Sequence, residues 1–165
     1  MIIRPEQPED LPAIHAVTRS AFIGVEHSSQ TEAAIVDALR NAGALTLSLV
    51  AEQDGRIVGH AAFSPVRIDG RASHWFGLGP VSVLPQRQGH GVGSALINEG
   101  LAQLKRLDAE GCVVLGDPGY YARFGFTSDH DLRYDGAPPI YFQSLALSGA
   151  PAKGEVAYHQ GFEAR

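Results

Sequence analysis

One domain of mixed α and β structure, of the α/β or α+β class, is what this sequence predicts, and three observations predict it. The chain has 165 residues, within the ~100–200 of a usual single domain and long enough to bury roughly two-thirds of its unfolded surface. Its 44% hydrophobic and 19% charged content is that of a globular chain, not a disordered one. The apolar spacing also changes along the chain, from helical to strand-like, back to helical, then to a short fully apolar run. No repeat, low-complexity tract or linker interrupts it, so a single domain over residues 1–165 is expected.

The elements follow in order. Residues 1–4 read as a short strand. Pro8-Glu9-Asp10 opens a helix with Asp10 as N-cap, Pro12 in the first turn and Leu11, Ile14, Val17 and Ala21 or Phe22 at helical spacing. Ser29-Gln30-Thr31-Glu32 fits a capping box, and the helix it starts presents Ile35, Leu39 and Ala42 before ending at Gly43. Residues 45–52 and 56–66 read as strands joined by Asp54-Gly55, a strong hairpin turn, with a second such turn at Asp69-Gly70. The strand at 75–83 carries Gly77, Gly79 and Pro80 inside it, which predicts a bulge or a close backbone approach. A helix runs from the glycine-rich residues 89–93 to about 107, with Ile97, Leu101 and Leu104 inward and Lys105 and Arg106 at its negative end. Residues 112–115 predict a buried, parallel strand. Residues 118–124 predict a short helix stopped by Gly125, and residues 140–147 and 155–162 two late strands around Gly149-Ala150-Pro151.

Composition excludes several functions. The lone Cys112 cannot form an internal disulfide or a multi-cysteine zinc site. A net charge of −5 argues against a general nucleic-acid or anionic-membrane binder. No apolar run reaches the ~20 residues of a membrane span. The first residues lack a basic start and an apolar signal core, so a cytoplasmic address is expected.

The most informative segment is Val81-Ser82-Val83-Leu84-Pro85-Gln86-Arg87-Gln88-Gly89-His90-Gly91-Val92-Gly93-Ser94. A strand ends, three glycines alternate, and a helix begins. Glycines let backbone N–H groups approach a ligand, and a helix N-terminus favours an anion such as a pyrophosphate. A P-loop would need a lysine after Gly93, and a dinucleotide fingerprint would need glycine at 94 or 96, where Ser94 and Leu96 stand. What remains, Gln88-x-x-Gly91-x-Gly93, resembles the Q/R-x-x-G-x-G/A loop of the GNAT N-acetyltransferase superfamily. Downstream, Tyr120-Tyr121-Ala122-Arg123-Phe124-Gly125-Phe126 resembles that family's Y-x-x-x-G-F element. The runs 78–83 and 115–121 look most like the small bacterial YhbS-like branch.

The resemblance implies an acyl-CoA N-acyltransferase fold: a mixed central sheet, flanked by helices and splayed at the acetyl-CoA site. It implies acetyl-CoA as cosubstrate and no metal. The pantetheine arm would pair with backbone at Val81 and Val83, and the pyrophosphate would take N–H groups of Gln88, Gly89, Gly91, Val92, Gly93 and Ser94. Arg87 and His90 flank the loop, with the plain reading of solvated residues as strong for His90. Tyr121, at the family's tyrosine position, would donate its O–H to the departing sulfur, and Tyr120 is read as packing. The acceptor is a primary amine on a small molecule or peptide, and neutralising a lysine-like amine at pH 7 costs ~4.6 kcal/mol. Strand 75–83 contains no acid to do so, a departure from the family's usual glutamate there. Glu26 ranks first among the early candidates and His27 next, while Glu32 has its capping role, Asp117 an N-cap role, His60 and His74 packing roles, and Cys112 is expected to be inert. A non-catalytic acyl-CoA sensor is the competing function. A monomer or homodimer without nucleic-acid or membrane partners completes the expectation.

Overall fold

The computed structural model describes residues 1–129, 131–149 and 151–165; Ala150, in the expected connection between the late strands, lies outside them. In chain order the elements are β1 (Ile2–Pro5), α1 (Leu11–Phe22), α2 (Glu32–Asn41), β2 (Leu47–Gln53), β3 (Arg56–Ile68), β4 (Arg71–Val83), α3 (Val92–Arg106), β5 (Gly111–Leu115), α4 (Pro118–Tyr121), β6 (Leu132–Arg133), β7 (Phe142–Ala146) and β8 (Gly154–Ala157). The hydrogen-bonded order is β1-β2-β3-β4-β5-β7, with β8 on β3 and β6 on β8. The recorded β1–β2, β2–β3, β3–β8 and β5–β7 pairings are antiparallel, while β4–β5 is parallel, as the apolar run at 112–115 predicted. The β4–β5 register runs from Trp75 and Gly111 to Leu78 and Val114. It stops where Gly79 adopts φ +143° and Pro80 brings no N–H.

The chain divides into two compact units, one of Met1–Phe63, Pro80–Gly100 and Gln160–Arg165, the other of Ser64–Gly79 and Leu101–His159. In the first, Ile14, Val36 and Val50 pack together with Leu45 and Ile57 against them. The inward face of α2 is Ala33, Val36 and Leu39, not Ile35 and Ala42; Ala42 closes the helix and is exposed. The end of α2 is as expected. Gly43 at φ +68° sends its N–H to the Arg40 carbonyl, and Ala44 sends its own to Leu39, a Schellman motif. The starts differ from expectation. Ser28, not Ser29, donates to the Glu32 carboxylate at 2.8 Å, because His27 and Gln30 at positive φ wind the preceding loop back. Asp10 stands at the N-cap position of α1 as expected, but its side chain makes no capping bond to that helix and instead closes the 3-10 turn over Pro8–Asp10 by accepting from Gln7 N–H at 2.7 Å.

A polar chain crosses this unit. Arg40 grips the Glu6 carboxylate with two nitrogens at 2.8 and 2.9 Å, Ser48 Oγ donates to Glu6, and Ser48 Oγ lies 2.7 Å from His60 Nε2. The one Ser48 proton goes to the carboxylate, so His60 carries its hydrogen on Nε2 and leaves Nδ1 buried with no partner among the described residues.

In the second unit Val66, Trp75, Val113, Leu132, Phe142 and Val156 form the core. Asp69 and Gly70 both adopt positive φ, the primed hairpin turn that Asp-Gly favours. Asp69 also holds β8: its N–H donates to Glu155 O at 2.8 Å and its Oδ1 accepts from Glu155 N–H at 2.9 Å. The late strands are shorter than expected. The chain leaves β8 after Ala157, and residues 160–163 wind into a 3-10 turn. Among the described residues no helix is long and apolar enough to cross a membrane.

Candidate functional site

The glycine loop lies in the first unit. After β4, Pro85–Arg87 makes one 3-10 turn. Gly89 and Gly91 then adopt φ +78° and +84°, conformations that L side chains resist, and a Cβ built at either would meet nothing within 4 Å. The loop is therefore open at those two positions, and it leads into the 15-residue α3. The first helical bond described there runs from Ala95 N–H to the Gly91 carbonyl at 3.0 Å. The first turn of a helix leaves amides without an intrahelical acceptor, and the positive end of the helix dipole lies at the same place. Val92 is buried and anchors this turn; a Cβ at Gly59 would stand 2.8 Å from its Cγ1, so the glycine on β3 is what lets α3 seat so closely.

The donors are not equivalent. The Gln88 N–H, one of the expected donors, points back to Pro85 O at 3.4 Å. The Gln88 side chain donates to the Val83 carbonyl at 3.1 Å, so that acceptor already has one partner. Arg87 is held by Gln53 Oε1 at 2.8 Å, and His90 Nδ1 lies 2.9 Å from Gln88 O. Arg87, His90, Gln53, Gln86, Val92 and Met1 line a hollow of about 360 Å³. A larger groove of about 860 Å³ runs along α1 past Ala13 and Val17 to Leu84, Pro85 and Gln86.

Tyr121 lies in the second unit. Asp117 caps α4, accepting from Gly119 N–H at 2.9 Å, the cap the sequence predicted. Gly125 at φ +98° ends the following turn and returns the chain to Phe126. The Tyr121 ring is boxed by Tyr120, Phe124 and Phe126, with centroids at 5.0, 6.3 and 5.9 Å. Burial, with Tyr120 and Cys112 alongside, pushes its phenol up to about 12. Tyr120 packs instead under Arg123, whose guanidinium carbon is 4.3 Å from its ring centre. Burial also pushes the Cys112 thiol well above its ordinary value, which makes it inert.

Glu26 is exposed in the loop after α1, next to His27 at φ +71°, and among the described residues its carboxylate has no ion pair. His60 is buried and bound to Ser48; burial lowers it to about 4. His74 is exposed. Among the described residues no three His, Cys, Asp or Glu side chains are grouped to hold a metal ion. Sequence reasoning missed Gly116, which lies against the Tyr121 ring, and Gln143, which donates to the Gly116 carbonyl; an amide within residues 140–147 was the available signal.

The acetyltransferase (GNAT) domain family matches residues 45–128. With that match over half the chain, and a relative aligned end to end, this protein belongs to the GNAT acetyltransferase family and is an acyltransferase. The relative is the uncharacterized N-acetyltransferase YhbS of Escherichia coli K12, 39% identical over 98% of both chains. Among solved structures, a GNAT acetyltransferase from Brucella melitensis in complex with acetyl-CoA shares 55% identity at a TM-score of 0.88, covering 98% of this chain and 97% of that one. YhbS from E. coli in complex with CoA gives 38% and 0.90, over 98% and 91%.

Proposed function

We propose that residues 1–165 act as one N-acetyltransferase domain that moves the acetyl group of acetyl-CoA to a primary amine, by direct attack with both substrates bound. The observation that carries this reading is the loop itself: Gly89 and Gly91, open and at positive φ, lead into α3. That cradle fits a pyrophosphate in charge and in clearance. Gly89, Gly91, Val92, Gly93 and Ser94 would hold it by backbone N–H, and Val81 would pair with the pantetheine amides. When bound, acetyl-CoA supplies the activated acyl group. Arg87 brings positive charge to the neighbouring hollow, which His90 also lines. Tyr121 hydrogen-bonds the sulfur as it departs. Proton transfer from a phenol at about 12 to a thiolate of ordinary pKa ~8.5 is uphill by about 5 kcal/mol, so Tyr121 acts as a hydrogen-bond donor and keeps its proton. Glu26 is the side chain we assign to the amine proton; its exposed loop keeps it in contact with water that carries the proton away.

Release of free CoA thiol from acetyl-CoA across a broad panel of amines tests the reaction. Tyr121→Phe should lower that turnover by about 10²-fold while calorimetry finds CoA affinity unchanged. Tight CoA binding with no thiol release for any amine would favour the sensor instead.

A further inference from the structure

We propose that Gly116 and Gln143 are positioning residues for Tyr121: Gly116 is the flat seat of its ring, and the buried Gln143 amide fixes that seat. The inference rests on the donor role of Tyr121 given above. A Cβ built on Gly116 would lie 2.5 Å from Tyr121 Cε2 and 3.1 Å from Cδ2, so ring and backbone are in contact with no space for a methyl group. One of the two must give. The backbone is pinned on both sides. The Gly116 N–H donates to Tyr141 O at 3.0 Å, and the Gly116 carbonyl accepts from Gln143 Nε2 at 3.1 Å. The ring must therefore yield, and Tyr120, Phe124 and Phe126 already crowd its other edges.

Gln143 sits in β7 opposite Val114 and is only 1% exposed. The sheet needs nothing polar there. Burying an amide is costly unless its donors are used, and Gln143 uses them on Gly116 O and, at 3.4 Å, on Tyr141 O. Both acceptors belong to the bridge between the end of β5 and the start of β7. The amide thus ties down the short stretch on which the Tyr121 ring lies, and a fixed ring keeps its hydroxyl on one line of approach.

The test follows the ring itself. Protein labelled with ¹³C at the tyrosine ζ carbon gives a Tyr121 signal, assigned by its loss in Tyr121→Phe, and CoA is titrated in. The parent signal should move. In Gly116→Ala the signal should be displaced before CoA is added and should lose its response, while CoA affinity by calorimetry stays that of the parent. Thiol release with the best amine should fall about ten- to a hundredfold, with no further fall when Gly116→Ala is added to Tyr121→Phe. Gln143→Met should act in the same direction, and carries the same readout if Gly116→Ala does not fold. A parent-like signal and response in the folded variants would overturn the inference, as would an equal fall in turnover on the Tyr121→Phe background. A parent signal indifferent to CoA would instead remove the donor role of Tyr121, and this inference with it.

Discussion

A phenol pushed up to about 12 stays protonated through the pH range in which an amine becomes nucleophilic. Tyr121 therefore contributes no descending limb to the rate below about pH 11, and the ascending limb belongs to the amine. With a lysine-like acceptor, log kcat/KM should rise with pH toward ~10.4. Tyr121→Phe should lower this curve without changing its form, and a pH–rate profile of both proteins checks it. A fall between pH 8 and 10 that disappears in Tyr121→Phe would show that the phenol ionises there. The residue itself was legible, because its place four before Gly125 is a local pattern. Its surroundings were not: Gly116 and Gln143 meet only through β5–β7 pairing, and nothing in the spacing of 116 and 143 announces that contact.

At the scale of elements, the glycines divide by what they face. Gly91 faces open space at φ +84°, so Gly91→Glu puts a negative side chain where the phosphates are proposed to sit, with strain of roughly 1–2 kcal/mol for its φ. Calorimetry should find CoA binding lost in a protein that still folds; unchanged affinity would place the anion elsewhere. Gly100, inside α3, faces the Phe63 ring at less than contact distance for any Cβ. A helical Gly→Ala exchange normally stabilises by about 1 kcal/mol. Here overpacking against Phe63 should reverse the sign and destabilise by about 1–3 kcal/mol, read as a lower Tm. The sequence showed both as glycines, and only three-dimensional neighbours separate them. Turn chemistry was the most readable part. Asp54-Gly55 and Asp69-Gly70 adopt the paired positive φ values their residue types favour, and Gly43 closes α2 as expected. Helix starts were less readable: α2 begins after Thr31 with no side-chain cap, and it is Ser28, not Ser29, that reaches Glu32, because the loop before it curls at two residues.

Across the whole molecule, stability should depend on acid. Burial lowers His60 to about 4, with the Glu6 charge opposing and the Arg40 charge reinforcing that shift. The unfolded chain takes up this proton near 6.5 and the folded chain only near 4, so stability falls as pH drops through that interval, by about 2 kcal/mol at pH 5. Glu6 adds to the same trend at lower pH. Burial alone would raise its pKa, but hydrogen bonds from Arg40 and Ser48 hold it below the ordinary carboxylate range, so protonation there also favours unfolding. Urea unfolding at pH 7.5 and 5.0 should show the loss, and His60→Gln should flatten it. The parent would have to be equally stable at both values for this account to be wrong. None of this was visible in order of residues, because Glu6, Arg40, Ser48 and His60 come from four separate elements or connections.

Asp69 gives the molecule a latch as well as a corner. Its turn can form early, from neighbours in sequence, yet the same residue clasps Glu155, 86 positions later. The tail strand thus docks on a template completed long before it arrives. Exchanging Asp69 for Gly would keep the corner and its backbone bond to Glu155 but release the side-chain half of the latch, and a protease would then begin its work at the tail.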